Sequence, residues 1–83
     1  MATEHRAWVL ATRHATRISI LDTLSSGVKA SPEAFAERLK LPPATVAYHF
    51  RVLEEVGAIE QEDGEFRITE RGMTLRNLAQ FLR

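Results

Sequence analysis

The sequence contains no cysteine. No disulfide can staple the fold and no thiolate can ligate a metal. Long apolar runs are missing too. The opening residues, MATEHRAWVLATRHATR, lack the apolar core of a signal peptide. No stretch approaches the roughly 20 apolar residues of a membrane span. A soluble, cytoplasmic protein with no membrane partner is therefore expected. Charge of one sign is also absent, since 11 Lys/Arg balance 11 Asp/Glu. The strongly basic footprint usual for a nucleic-acid binder is thus lacking. Repeats and low-complexity tracts are absent. So are a nucleophile–base arrangement, a glycine-rich phosphate loop and a paired-carboxylate motif, so no enzyme is expected.

What remains is one small domain of 83 residues. A chain this short buries only about 60–65% of the surface it exposes unfolded, and association with a second copy is one common remedy. Its neutral charge is unevenly spread. Residues 1–51 hold seven Lys/Arg against four acids, and residues 52–83 hold four against seven. An anion would therefore dock on the N-terminal half.

The chain is organised around LPPATVAYHFRVLEEVGAI, residues 41–59. At 100° per residue Val46, Phe50, Leu53 and Gly57 share one narrow side. Ala44, Ala47, Tyr48, Arg51 and Glu55 point broadly the other way. Pro42 and Pro43 suit a helix start, where a missing N–H costs nothing. Gly57 suits its end. The spacing predicts a helix over 43–56.

Before it, residues 4–25 carry neighbouring apolar stripes through Trp8, Ala11, Ala15, Ile18 and Leu21, predicting one helix or two end to end. A break near Arg13–Ala15 is compatible with the pattern, but no Gly or Pro enforces it. Ser31-Pro32-Glu33 combines an N-cap, a first-turn proline and an acid at the positive helix end, opening a helix over 32–39. Its short connection to the helix at 43 makes a helix-turn-helix. After it, residues 58–68 alternate around Asp63-Gly64, the strongest short hairpin signal. Thr69 then caps a helix over 70–83. The expected fold is mainly α with a small β-hairpin, a winged helix-turn-helix, as a single domain over 1–83.

The residues also carry a family resemblance. HATRISILDTLSSG at 14–27 resembles the second helix of ArsR-type repressors, whose pattern runs roughly H-P-T-R-L-x-I-L-x-L-L. SPEAFAERLKLPPATVAYHFRVLEEVGAIE at 31–60 resembles that family's ELAEALGLSQSTVSHHLKVLREAGLV without a gap. Thr45-Val46, His49, Val52-Leu53 and Gly57 match it residue for residue. ITERG at 68–72 is similar to the LTEKG that leads into the dimer helix of related winged-helix regulators. The resemblance covers about residues 10–68 and implies a homodimeric transcription regulator that binds double-stranded DNA. The departures are specific. Ala15 stands where the family has proline, so the first two helices could run on. Lys40 stands where its turn has glycine. The family's metal sites use cysteines in the helix aligned with 32–39, or His and Asp in the last helix. Residues 69–83 hold neither His nor Asp, so no metal sensor and no cofactor are expected.

In a major groove the second helix of the motif would present Ala44, Thr45, Ala47, Tyr48 and Arg51, with His49 at the margin. Thr45 can bond a phosphate or base edge, or give its methyl to thymine. Tyr48 offers a hydroxyl and a ring, and Arg51 a phosphate contact. Arg38, Lys40 and Arg67 would add charge. Pro43, Ala44 and Ala47 replace the family's Gln and Ser, so direct readout is thin. His49 reads equally as a contact or as a partly buried hydrogen-bonding residue beside the turn. His5 and His14, nine apart, miss the spacing of a helical ligand pair, and His49 is remote, so the histidines are expected to be solvated or structural. Trp8, Leu75, Leu78, Phe81 and Leu82 form the expected dimer contact. The wing tip Glu60-Gln61-Glu62-Asp63-Gly64-Glu65 is acidic and would repel phosphates. Either it tilts away from DNA, or it faces a basic protein partner and the module binds proteins.

Overall fold

A computed structural model of the chain describes the backbone of residues 2–81 and the side chains of residues 6–79. Seven elements follow one another: α1 (Ala2–Thr12), α2 (Ala15–Leu24), α3 (Pro32–Leu39), α4 (Pro43–Glu55), β1 (Ile59–Glu62), β2 (Glu65–Ile68) and α5 (Glu70–Phe81). Among the described residues five helices and one antiparallel hairpin make a winged helix-turn-helix, the fold class the sequence implies.

The N-terminal stretch is two helices. His14 is extended at φ −109°, ψ 137°, and its carbonyl accepts from Ile18 N–H to open α2. No proline makes this break. Uninterrupted helix would offer the Leu10 carbonyl to the N–H of residue 14. Here the Arg17 guanidinium donates to that carbonyl at 2.6 Å, satisfying an acceptor the helix end leaves open. The break is thus stabilised from the side chain of the following helix.

At the start of α3 the Ser31 hydroxyl accepts from Ala34 N–H at 3.1 Å, with Pro32 in the first turn. Its C-terminus is closed by Lys40 in the left-handed region at φ 57°, while Leu41 N–H reaches back to Ala36 O. That closure normally favours glycine. Pro43 begins α4, and Gly57 at φ 78° turns the chain after it.

Phe50 fixes α4 in the molecule. It is fully buried and meets Phe35 of α3 and Phe66 of β2 edge-on, with centroids 5.5 and 5.2 Å apart. Val46 and Leu53 lie in the same core with Ile20, Leu21 and Leu24 of α2. The face of α4 read from the sequence as apolar is its buried face.

In the hairpin Ile59 pairs with Ile68 and Glu62 with Glu65. Asp63 and Gly64 both have positive φ, 54° and 81°, as a two-residue type I′ turn requires. A third, very short strand contact lies beside it: Ala30 and Phe66 exchange both backbone hydrogen bonds, at 3.0 and 2.7 Å. That bridge ties the approach to α3 to the wing.

Thr69 joins α5 to the end of α4. Its hydroxyl accepts from Gly72 N–H at 3.0 Å and donates to Gly57 O at 2.6 Å. Arg71 Nε donates to Val56 O at 2.8 Å, and Arg76 binds Asp22 of α2 at 2.9 Å. No described helix is long and apolar enough to cross a membrane.

Candidate nucleic-acid interface

The outward face of α4 carries Ala44, Thr45, Ala47, Tyr48 and Arg51, all exposed. Arg38 and Lys40, on α3 and in the turn, are exposed as well. Among the described residues none of Arg38, Lys40 and Arg51 is held by a carboxylate. Their charge is available to an incoming anion. Tyr48 is 49% exposed, and two guanidinium groups lie over its ring, Arg17 at 5.7 Å and Arg51 at 6.0 Å from the centroid. These contacts limit the ring's freedom and keep it beside the helix that carries it.

His49 does not belong to this outward face. It is only 6% exposed, and its Nδ1 accepts from Arg17 Nε at 3.0 Å. The margin position placed it between two readings, and the structure selects the buried hydrogen-bonding one. The reason is its neighbour: α2 lies against that side of α4, with the His14 ring 5.0 Å from His49. Burial lowers the His49 pKa below its ordinary 6.5, and the charges of Arg17 and His14 lower it further.

Arg17 was the residue the sequence concealed. Counted by charge it is one more docking cation. In the structure it is 3% exposed and bonded to α1 and α4. Among the described residues no carboxylate pairs with it. Only the match of TR at 16–17 to the family pattern set it apart from the other arginines.

The wing cations are also committed. Arg67 forms ion pairs with Glu60 and, at 3.5 Å, with Glu62. Lys29 pairs with Glu62 from the loop before α3. The hydrogen bond and charge of Lys29, with Arg67 adding, hold the Glu62 carboxyl below its usual range. Arg67 would have to leave these carboxylates to meet a phosphate, which sets it apart from Arg51.

The expected dimer residues divide. Leu75 is 2% exposed and belongs to the core of the chain itself, because the side of α5 facing α1 and α2 includes it. Trp8 is half-buried and packs on the same core. Leu78 is 46% exposed. The side chain of Phe81 and the whole of Leu82 lie outside the described residues, as does the side chain of His5. No group of three or more potential metal ligands occurs among the described residues.

A helix with an exposed polar and cationic face, seated after a tight turn and flanked by a hairpin, is the arrangement of a winged helix-turn-helix DNA-binding protein. A family model described as a helix-turn-helix domain matches residues 13–62, from the turn before α2 to the end of β1. The chain belongs to that family. No curated protein matches it. Family membership and the winged fold together support DNA binding by a transcription regulator.

Proposed function

We propose that the protein is an ArsR-like regulator that binds specific double-stranded DNA as a homodimer, without metal sensing, in the cytoplasm and on the nucleoid. Its role is binding, not catalysis. The observation that carries this reading is the outward face of α4, where Thr45, Tyr48 and Arg51 stand exposed on a helix whose other side is locked by Phe50. Arg38 and Lys40 supply phosphate contacts beside it. Thr45 and Tyr48 carry the base readout, while Ala44 and Ala47 allow close approach and contact with thymine methyl groups. The two α4 helices of a dimer would enter successive major grooves about 34 Å apart. Leu78, with Phe81 and Leu82 beyond the described side chains, would belong to the dimer contact.

The test is fluorescence anisotropy on duplexes from the DNA upstream of the protein's own coding sequence, across a salt series. Arg51→Ala should weaken binding uniformly and reduce the salt slope by about 1. Tyr48→Ala should cost about 1–3 kcal/mol and narrow the gap between specific and random duplexes. Binding insensitive to salt and to both variants counts against the reading. Sedimentation showing a monomer at about tens of micromolar removes the two-half-site arrangement, since an obligate dimer must persist there.

A second reading is favoured by the wing. Its two nearby cations are already paired with Glu60 and Glu62, leaving Asp63 and Glu65 exposed at the tip. Such a surface suits a basic protein partner. Charge reversal at Glu62 and Asp63 that abolishes a protein complex supports this reading; reversal that only tightens DNA binding removes it.

A further inference from the structure

Arg17 is buried, positively charged and lacks a carboxylate partner among the described residues, yet it makes three contacts with two other helices. Its Nη1 donates to Leu10 O at the end of α1, 2.6 Å away. Its Nε donates to His49 Nδ1 on α4, at 3.0 Å. Its guanidinium carbon lies 5.7 Å from the centre of the Tyr48 ring. One side chain of α2 therefore links the N-terminal helix to the helix that carries the exposed face. It does so beside Tyr48, the large hydrophobic side chain exposed on that face.

The hydrogen bond sets a chemical condition. An imidazole ring accepts at Nδ1 only when that nitrogen carries no proton, and a protonated ring has no acceptor at all. The groups facing His49 are Arg17 from α2, His14 at the start of α2, and Tyr48 on its own helix. Arg51 joins the cluster through Tyr48. From α1 comes the Leu10 carbonyl, which is bonded to Arg17 and not to the ring. No carboxylate bonds either His49 or Arg17 among the described residues, so nothing there compensates an added positive charge.

We propose that Arg17 is a positioning residue for DNA recognition, holding Tyr48 and α4 against α1 and α2 only while His49 is neutral. A proton on His49 removes the acceptor and sets a cation against the guanidinium. Arg17 must then turn away, and Tyr48 loses one of the two cations that flank it. DNA affinity falls as the ring protonates. This is the opposite of the ordinary effect of protonating a surface imidazole near phosphates, which tightens binding. The proposal rests on the DNA-binding reading for its consequence, but the Arg17–His49–Tyr48 linkage itself does not.

Two measurements test it. The first uses the free protein: NMR titration of the His49 ring and the Tyr48 ring from about pH 8 to about pH 5, spanning the histidine range. Tyr48 resonances should move with the His49 midpoint in the wild type and lose that dependence in Arg17→Lys, which keeps a charge but not the planar fork. Tyr48 resonances indifferent to His49, in a folded wild type, overturn the proposal. The second is anisotropy with a labelled duplex of the upstream DNA at fixed salt. Wild-type affinity should fall about tenfold more than that of His49→Gln between about pH 7.5 and about pH 5.5, because a glutamine oxygen accepts from Arg17 at every pH. Equal pH profiles for the two proteins overturn it. If neither binds the duplex at any pH, the DNA reading fails, and the NMR co-titration alone decides the role of Arg17.

Discussion

Of the four glycines, Gly72 is the most tightly enclosed. A Cβ placed there would lie 2.0 Å from Ala58 O and 2.7 Å from Ile68 Cγ1. The carbonyl cannot retreat freely, because it accepts from Thr69 N–H at 3.0 Å. Alanine would gain about 1 kcal/mol of helix propensity over glycine, but overpacking against fixed backbone costs about 1–3 kcal/mol or more. The clash wins, and Gly72→Ala is expected to lower stability by about 2 kcal/mol, read as a lower urea midpoint. Lys40 presents the reverse case. Its left-handed backbone costs a non-glycine residue roughly 1 kcal/mol, so Lys40→Gly should raise the urea midpoint. The same change removes an exposed cation beside α4 and should weaken DNA binding with a salt slope smaller by about 1. A more stable variant with unaltered salt dependence would exclude Lys40 from the interface. Both residues were visible in the sequence as a glycine inside a helix pattern and a lysine where the turn favours glycine. The contact that makes Gly72 obligatory was not visible, since Ala58 lies 14 residues earlier in the chain.

At the scale of the element, the wing's own carboxylates take up its basic side chains. Arg67 and Lys29 are bound by Glu60 and Glu62 in exposed ion pairs. Exposed pairs contribute little to stability, so they are readily broken. Replacing Glu60 and Glu62 together by glutamine should leave the unfolding midpoint almost unchanged. It should also tighten DNA binding several-fold at low salt, as two cations are released and two repulsive charges vanish. No gain in affinity would show that the wing stands away from the duplex. The hairpin itself was plain from Asp63-Gly64 between alternating runs. Its ion pairs were not, because Lys29 reaches Glu62 from a loop 33 residues earlier. The exposed face of α4 was legible from periodicity alone. Its edge was not: one helix cannot reveal which of its margins a neighbouring helix covers, and His49 sits on the covered one.

At the scale of the whole molecule, acid sensitivity follows from the same covered margin. The folded His49 pKa lies below the ordinary 6.5, so the unfolded chain binds the proton more readily. The stability this contributes is present above the unfolded value and is lost as pH falls through the folded one. Urea midpoints measured downward from about pH 7 should therefore decline through the range just below the ordinary histidine value, and His49→Gln should remove that component. An identical decline in the variant would place the acid sensitivity elsewhere. Around this margin the molecule also redistributes roles assigned by pattern. Leu75, on the apolar stripe of α5, fills the core of the single chain, while Leu78 remains exposed.

The amino-acid order alone determined the helix-turn-helix, the wing and the buried stripe of α4. These depend on local signals: Ser31-Pro32, Asp63-Gly64, and apolar spacings of three and four. Backbone conformation and side-chain periodicity act over a few residues, so a single stretch suffices to state them. Tertiary structure decided the rest. It broke the N-terminal helix at His14 without a proline, buried Arg17, made His49 an acceptor and committed Arg67 to the wing. Each outcome depends on a partner distant in sequence or on the next helix, as with Arg17 and His49, 32 positions apart. A charge count cannot distinguish an arginine that meets solvent from one enclosed by three helices, because that distinction exists only once the helices have packed.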